Sequence, residues 1–383
     1  MVPLPQRAHS PAVPAARPVV REVRPGFAPD HLPQLEDLPP VGGQRVLVRC
    51  DFNVPIRRDR VIDDLRIRAA TPTLEWLVRR GAHVTVATHL GRPGGRRDPR
   101  FELGPVRDRL AELVPQVELM DNLRFHAGEE HNDACFVERL IEGQDLYVND
   151  AFATAHREHA SVVGPPAHLP SAAGRLVSRE VAVLSALRSK PRRPFVAVLG
   201  GDADPEKLAG IRPLMEFADT LVLGGAVAFS VMGGGRAAAR LDEWDDLIRS
   251  GRLILPPDLV IGRVADPAQT AVSAEIPEGW SGLDIGHRSV SRFSTIIDGA
   301  GTVFWDGAMS SGGYVSGTRA VAQAVAEAAA FTVASGVDTL EALSRLRLSA
   351  FVDHLSTGAA ASLSFLRDGD LPGLRAIRLP VRA

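Results

Sequence analysis

Charged and polar side chains recur in the first half of the chain where short apolar segments end. Arginine forks can bind carboxylate or phosphate groups through two parallel hydrogen bonds, and they stay charged at any working pH. An aspartate and an asparagine in the same set can accept hydrogen bonds from a ligand hydroxyl. The pattern predicts a site for a small, multiply charged anion, although any one arginine by itself is more typical of a solvated surface. The residues are Asp51, Asn53, Arg66, His89, Arg92, Arg124 and Arg157.

A glycine-rich loop follows the apolar segment 195–199 in the second half. It reads Gly-Gly-Asp-Ala-Asp-Pro-Glu-Lys over residues 200–207, which resembles a loop that contacts phosphate. Nearly every basic residue of this chain is arginine, and the only lysines are Lys190 and Lys207. Lys207 is therefore the candidate phosphate ligand, and the two aspartates of the loop add negative charge beside it.

Short apolar strands alternate with amphipathic helices, a pattern that predicts parallel sheets with right-handed crossovers. We predict an α/β fold with two Rossmann-like lobes joined by a hinge helix. Ligands of such folds bind at the carboxyl ends of the strands, which is where the polar residues lie. The predicted strands are 45–49, 83–87, 146–148, 195–199, 220–223, 253–255, 302–305 and 331–333, with helices at 66–79 and 177–188.

Length and composition limit the class of protein. A chain of 383 residues favours two domains. The net charge of −2 gives no reason to expect nucleic acid or an anionic membrane as a partner. Two cysteines exclude a disulfide framework, and no apolar run approaches the roughly 20 residues that span a bilayer. We expect a cytoplasmic protein, and a monomer.

The prolines and the apolar pattern divide the chain into five segments. Residues 1–32 carry seven prolines with arginines between them, so we expect a disordered extension. The expected first lobe is 33–176, the hinge helix is 177–190 and the second lobe is 191–365. Residues 366–383 are expected to pack back on the first lobe.

Five motifs of the first half closely resemble those of phosphoglycerate kinases, and a weaker likeness continues to about residue 375. The resemblance implies two lobes that close at a hinge and transfer phosphate between ATP and 3-phosphoglycerate, a step of glycolysis that makes the acyl phosphate 1,3-bisphosphoglycerate. The motifs are Arg-Cys-Asp-Phe-Asn-Val-Pro at 49–55, Asp-Asp-Leu-Arg-Ile-Arg at 63–68, His-Leu-Gly-Arg-Pro at 89–93, Asp-Asn-Leu-Arg-Phe-His at 121–126 and Asn-Asp-Ala-Phe-Ala-Thr-Ala-His-Arg at 149–157.

The same resemblance implies a role for individual residues. The seven anion-site residues match those that hold 3-phosphoglycerate in the family, and none is substituted. Asp338 would contact Mg²⁺ of the nucleotide, or it could instead cap a helix together with Glu341. The family pattern assigns catalysis to Arg66 and Lys207, and ATP or ADP contacts to Gly200, Gly201, Lys207, Gly224, Gly225, Asp338 and Thr339.

The second half departs from the family pattern at several ligand positions. Ala203 stands where the family has a lysine over the transferring phosphoryl group, and Asp306 stands where it has an asparagine. Gly313 replaces the glutamate that binds ribose. Ala359 and Ala360 replace glycines at a helix N-terminus, where methyl groups can block phosphate. Binding of Mg²⁺ with ATP or ADP is therefore expected to be weak.

Three functions fit an intact acid site beside an altered nucleotide site. The first is a divergent kinase of this family with impaired or repurposed ATP chemistry. The second is a transferase that uses 1,3-bisphosphoglycerate as a phosphoryl or glyceroyl donor to another acceptor. The third is a non-catalytic binder of 3-phosphoglycerate or 1,3-bisphosphoglycerate.

Overall fold

The structure is a computed structural model, and it describes residues 31–232, 238–311, 313, 315–379 and 381. Nearly all of the predicted extension 1–32 lies outside these residues. The described chain forms two compact units. The first contains the residues up to Ala182 and those from Asp370 onward, and the second is Val183–Gly369.

The first unit is built on a five-stranded parallel sheet in the order β5-β4-β1-β6-β7. Strand β1 is central and five of its six residues are buried, so its carboxyl end lies in the middle of the sheet edge. A small antiparallel hairpin, β2-β3, follows it. The strands are β1 Arg45–Cys50, β2 Ile56–Arg57, β3 Arg60–Val61, β4 His83–Ala87, β5 Glu118–Leu119, β6 Leu146–Asp150 and β7 Ser171–Ala173. The helices are α1 Leu65–Arg79, α2 Gly104–Leu113, α3 Ala127–Glu130, α4 Ala134–Ile141, α5 Ala160–Val163 and α6 Arg175–Ser189.

The second unit contains a six-stranded parallel sheet in the order β10-β9-β8-β14-β15-β16. The strands of this sheet are β8 Phe195–Leu199, β9 Thr220–Leu223, β10 Leu253–Ile254, β14 Thr302–Asp306, β15 Phe331–Ser335 and β16 His354–Leu355. A separate sheet of the same unit contains β11 Leu259–Arg263, β12 Asp266–Ser273 and β13 Trp280–Ile285. The helices are α7 Pro205–Ala209, α8 Ile211–Leu214, α9 Gly225–Met232, α10 Ala238–Arg249, α11 His287–Asp298, α12 Ser316–Glu327, α13 Val337–Arg345 and α14 Ala360–Asp368.

The two parallel sheets confirm the predicted α/β class, but the antiparallel sheet β12-β11-β13 was not predicted. Its edge strand β12 is exposed along almost its whole described length, so its sequence lacks the apolar alternation that marks a half-buried strand. The sheet was therefore not visible in the pattern of hydrophobic residues.

The last helix, α15 (Pro372–Arg378), packs against α5 and β7 and belongs to the first unit. Helix α6 begins in the first unit and ends in the second, since the division falls between Ala182 and Val183. Among the described residues, every helix is too short or too polar to cross a membrane.

Candidate functional site

The anion site of the first unit is centred on Asp51, which follows the last residue of β1 and is 6% exposed. The guanidinium of Arg66, from the first turn of α1, forms an ion pair with its Oδ2. Its Oδ1 accepts a hydrogen bond of 3.1 Å from the backbone N–H of Asn53. Burial by itself raises the pKa of Asp51, but the charge of Arg66, the other nearby charges and the hydrogen bond from Asn53 together outweigh burial and lower the pKa below its ordinary value. Asp51 is therefore ionised and holds Arg66 in place.

Asn53 and Arg124 hold the loop that carries His89 and Arg92. The Asn53 Oδ1 accepts a hydrogen bond of 2.9 Å from the Gly91 N–H, and Arg124 donates one of 2.7 Å to the Gly91 carbonyl. Gly91 has a φ of +63°, and a side chain there would strike the ring of Phe101. These side chains of the predicted anion site thus also shape its backbone.

The remaining two arginines of the set differ in their surroundings. Arg157 is partly buried beyond β6 and lies near Arg124. Burial lowers the pKa of Arg124 below its ordinary value, and the charge of Arg157 lowers it further. Arg92 is exposed and follows Gly91 in its loop. The structure therefore connects six of the seven side chains by contact or by charge, and it leaves Arg92 at the surface beside them.

A buried network behind the anion site was missed in the sequence. Arg49 is 1% exposed, and its Nε donates a 2.8 Å hydrogen bond to the Ser161 hydroxyl. Glu129 is fully buried and accepts hydrogen bonds of 2.9 Å and 2.6 Å from the N–H and hydroxyl of Ser161. The signal that could have revealed it is the charge of Arg49 inside an apolar strand, because a buried charge requires partners.

Arg49 also determines the protonation of His89. Its Nη2 lies 3.2 Å from the His89 Nδ1, and a guanidinium can only donate. The Nδ1 atom is therefore an acceptor, and the ring proton sits on Nε2. Burial lowers the pKa of His89 well below its ordinary value, and the nearby arginines lower it further. His89 is neutral and offers one N–H donor.

Two further histidines are expected to make the free energy of unfolding depend on pH. Burial lowers the pKa of His156 and of His159 to about 4, and the Nδ1 atom of each is buried without a hydrogen-bond partner. The unfolded chain binds these protons near the ordinary pKa of about 6.5. Their contribution to stability is therefore complete above pH 6.5 and is lost as the pH falls towards 4, by up to about 1.4 kcal/mol per pH unit for each histidine.

We expect His159→Gln to reduce the slope of unfolding free energy against pH between 6.5 and 4. Urea unfolding at several pH values in this range measures that slope. His83→Gln is the matched control because His83 is exposed. Equal slopes for the parent and His159→Gln would contradict the predicted low pKa.

The phosphate loop of the second unit lies beside a cavity of about 560 Å³. Gly201 has a φ of +71° and Gly307 a φ of +94°, and a Cβ on Gly307 would lie 2.7 Å from the Gly201 nitrogen. Because neither glycine has a side chain, the loops that contain Gly201 and Gly307 can approach each other closely and expose their backbone to the cavity. The charged residues that line the cavity are Asp202, Asp204, Lys207, Asp306, Asp338 and Arg367.

Lys207 is held by the residue that departs from the family pattern. Its Nζ lies 3.0 Å from the Asp306 Oδ1 and donates a 2.8 Å hydrogen bond to the Gly200 carbonyl. The two side chains are only 11% and 5% exposed, so their attraction is weakly screened. The second carboxylate oxygen of Asp306 is buried and has no hydrogen-bond partner. Asp306 therefore neutralises the lysine that would otherwise face a phosphate.

Asp338 lies in the first turn of α13, where Gly336 is the N-cap and no side chain makes a capping bond. The structure thus does not show the capping role that was the alternative for Asp338. Burial raises its pKa above the ordinary value, and the charges of Asp202 and Glu341 raise it further. The phosphate cavity is therefore an acidic environment.

A second cavity of about 500 Å³ shares Gly201, Asp202 and Asp338 with the first. Ala226 and Gly313 also line it, and a Cβ on Gly313 would meet no atom within 4 Å. The two cavities adjoin, and each has the volume typical of a small-molecule site.

The other predicted nucleotide contacts support the loops. Gly225, with a φ of +57°, donates a 3.0 Å hydrogen bond to the Met309 carbonyl, and Gly224 donates one of 2.8 Å to the Leu199 carbonyl. Thr339 is fully buried, and its hydroxyl oxygen accepts a 2.7 Å hydrogen bond from the Gly307 N–H. These three residues position the backbone that faces the cavities.

Comparison with known proteins identifies the family. The family model described as phosphoglycerate kinase matches residues 35–121 and 114–369. The chain belongs to the phosphoglycerate kinase family. It is 41% identical over 371 residues to the phosphoglycerate kinase of Rubrobacter xylanophilus, covering 87% of this chain and 95% of that one. It is also 41% identical over 391 residues to the phosphoglycerate kinase of Frankia casuarinae, and the match covers 88% of this chain and 98% of that one.

Solved structures of the family share the fold. Phosphoglycerate kinase from Coxiella burnetii aligns with a TM-score of 0.75 and 30% identity, covering 91% of this chain and 99% of that one. The enzyme from Pyrococcus horikoshii aligns with a TM-score of 0.75 and 25% identity, covering 90% and 98%. The two-unit α/β architecture is therefore that of phosphoglycerate kinases.

The alanine at 359, where the family resemblance predicts a glycine, strains the backbone at the N-terminus of α14. Ala359 is the N-cap residue, with φ +47° and ψ −117°, a conformation that side chains disfavour. Such strain costs about 1–2 kcal/mol, which exceeds the entropy that glycine adds to the unfolded chain. We expect Ala359→Gly to stabilise the protein by about 1 kcal/mol.

Urea unfolding of the variant and the parent checks this expectation. Ala360→Gly is the matched control because Ala360 is the first residue of the helix proper, where glycine relieves no strain and only adds conformational entropy to the unfolded chain. The two substitutions are therefore expected to have opposite signs. Destabilisation by Ala359→Gly would contradict the strain at this residue.

Proposed function

We propose that this chain catalyses the phosphoglycerate kinase reaction, ATP and 3-phosphoglycerate to ADP and 1,3-bisphosphoglycerate, with weakened nucleotide binding and a low rate. The observation that carries the proposal is the contrast between its two sites. In the first unit all seven predicted anion-site residues are present, and six of them are connected around Asp51 and Arg66. In the second unit one lysine is absent at Ala203 and the other is paired with Asp306.

The first unit has the chemistry to bind and orient 3-phosphoglycerate. The phosphate and the carboxylate of this ligand suit the guanidinium groups of the site, and Asp51 suits its hydroxyl. Arg66, whose guanidinium is held by Asp51, would stabilise charge on the transferring group. Neutral His89 adds a donor on Nε2. In the reaction a carboxylate oxygen attacks the terminal phosphorus of ATP, and the bond from that phosphorus to the ADP oxygen breaks.

The two adjoining cavities of the second unit would receive the nucleotide, with the nucleoside beside Ala226 and Gly313 and the phosphates beside Gly201. Among the described residues, no group of three or more histidine, cysteine, aspartate or glutamate side chains is placed to hold a metal ion. Mg²⁺ commonly takes one or two carboxylates and completes its shell with substrate phosphates and water. Asp338 would supply the carboxylate, and Mg²⁺ would offset phosphate charge when it is bound.

The charges of the phosphate cavity account for the weakened step. Phosphoryl transfer is catalysed mainly by positioning and by neutralising charge. Loss of one preorganised donor typically lowers the rate by roughly 10²–10³-fold. Asp202 and Asp204 lie in the loop from which the lysine is missing. Asp306 forms an ion pair with the ammonium group of Lys207. The binding energy available to ATP phosphates is reduced accordingly.

A coupled assay tests the proposal by measuring 1,3-bisphosphoglycerate formation from 3-phosphoglycerate and ATP with Mg²⁺. We expect a measurable rate far below that of an ordinary family member run in parallel. An ordinary rate would contradict the impairment. If the chain shows no turnover, binds 3-phosphoglycerate and does not bind nucleotide, the non-catalytic binder is favoured. Consumption of 1,3-bisphosphoglycerate only when another acceptor is added would favour the alternative transferase.

Nucleotide affinity provides a separate prediction. We expect Mg²⁺-ATP to bind more weakly than to an ordinary family member and with poor discrimination at the ribose, because Gly313 has no carboxylate to accept from a ribose hydroxyl. Calorimetric titration with ATP and 2′-deoxy-ATP measures both effects. A micromolar dissociation constant for ATP would disprove this prediction.

A further inference from the structure

Helix α14 presents one continuous face to the phosphate cavity. Its residues at 360, 363, 364 and 367 all line that cavity, with the spacing of three and four that places helical side chains on one side. Only the last of these, Arg367, carries a positive charge. The N-terminus of the helix lies beside the same space, since Ala359 and Ala360 both line the cavity.

We infer that Arg367 is a phosphate-binding residue that supplies, from α14, the cation missing from the loop at Ala203. The inference rests on the proposed function in one respect, that the cavity receives nucleotide phosphates. Among the described residues that line the cavity, Lys207 and Arg367 are the lysine and arginine side chains. Both are paired with an aspartate, but the partner of Lys207 is buried and that of Arg367 is exposed, so Arg367 is the cation better placed to respond to a ligand.

The direction of helical side chains supports this role. Side chains of a helix lean towards its N-terminus, so the guanidinium of Arg367, once exchanged from Asp368, would extend back over Leu363 and Ser364, which line the same cavity. Arg367 would then contact a phosphate that lies along this face of α14 in the cavity. An arginine can also offer two parallel donors to a phosphate, which a lysine cannot.

The ion pair of Arg367 with Asp368 can be exchanged at low cost. The Nε and Nη2 of Arg367 donate hydrogen bonds of 2.7 Å each to the carboxylate of Asp368. The Asp368 side chain is 44% exposed, and exposed ion pairs contribute little to stability. A phosphate carries more charge than this carboxylate, so it can take over the guanidinium without a large penalty.

Inorganic tripolyphosphate is the direct probe because it contains the phosphate chain without a nucleoside. We expect Arg367→Gln to weaken tripolyphosphate and Mg²⁺-ADP binding by roughly 10- to 100-fold in calorimetry, the usual effect of one charged hydrogen-bonding pair. Binding of adenosine should not change, whereas a general structural defect would weaken it as well. Arg367→Lys should restore part of the affinity.

Arg249→Gln is the matched control, since it also removes one arginine of the second unit but from an exposed position on α10. It should leave tripolyphosphate binding unchanged. Weaker tripolyphosphate binding by Arg367→Gln supports the inference even if the coupled assay shows no turnover, in which case only the proposed reaction fails. Equal binding by the parent and Arg367→Gln overturns the inference and leaves the proposed reaction standing. A parent chain that binds neither tripolyphosphate nor ADP also overturns it.

Discussion

Replacing Arg66 with alanine is expected to weaken 3-phosphoglycerate binding by roughly 10- to 150-fold, because a charged hydrogen bond contributes about 1.5–3 kcal/mol. Turnover should fall further, by roughly 10²–10³-fold at saturating substrate, if the same guanidinium stabilises the transferring group. Calorimetry with 3-phosphoglycerate measures the first effect, and the coupled assay measures the second. Absence of saturable binding to the parent at millimolar ligand would contradict the proposed acid site.

Arg66→Ala also removes the main counter-charge of a buried carboxylate. Asp51 would then be left in the fold with less compensation, so a loss of stability could be mistaken for a loss of binding. Arg157→Ala separates the two effects. Arg157 is partly exposed, so its substitution should weaken binding without unfolding the unit. Arg57→Ala is the matched control, since it removes an exposed arginine of β2. Equal affinity in Arg157→Ala and Arg57→Ala would exclude Arg157 from the site.

Replacing Ala203 with lysine is expected to raise kcat, with an upper limit of roughly 10²–10³-fold for one restored donor. The new ammonium would lie in the phosphate loop, where Lys207 is already neutralised by Asp306. We expect a gain below that limit, because Asp202 and Asp204 flank position 203 and would offset part of the added charge. The measurement is the initial rate of 1,3-bisphosphoglycerate formation.

Ala203→Met is the matched control for this gain, since it adds a long side chain without charge. Combining Ala203→Lys with glycine at 359 and 360 should exceed the single change, because it also opens the N-terminus of α14 to phosphate. Parent turnover at an ordinary kinase rate would mean that the lysine is dispensable here. If Ala203→Met raised the rate as much as Ala203→Lys, the effect would not be electrostatic.

Local pattern was sufficient to predict the architecture of the two parallel sheets. Strand β8 was predicted with the bounds that the structure shows, since a fully buried apolar run between a proline and two glycines has few alternatives. Helix α6 is a little longer at each end than the predicted 177–188. Strand β10 has two residues where three were predicted. Element ends depend on capping and on neighbouring strands, which a hydrophobic pattern does not specify.

The sequence by itself determined the family, the fold class and the types of side chain at each ligand position. Motifs of the first half such as 49–55 identify all three, because residue types at fixed spacing follow the strand ends of this fold. It also showed that a lysine is missing at position 203. These conclusions need only the order of residues along the chain.

Only the tertiary structure decided which charges pair. Lys207 and Asp306 are far apart in sequence, and they meet because β8 and β14 are adjacent parallel strands. The same is true of Arg49 and Ser161, and of Arg367 at the cavity that begins beside Gly201. Electrostatic energy depends on distance and burial, which arise from the packing of separate elements. The sequence therefore predicts the charges that are present, and the fold decides which of them remain available to a ligand.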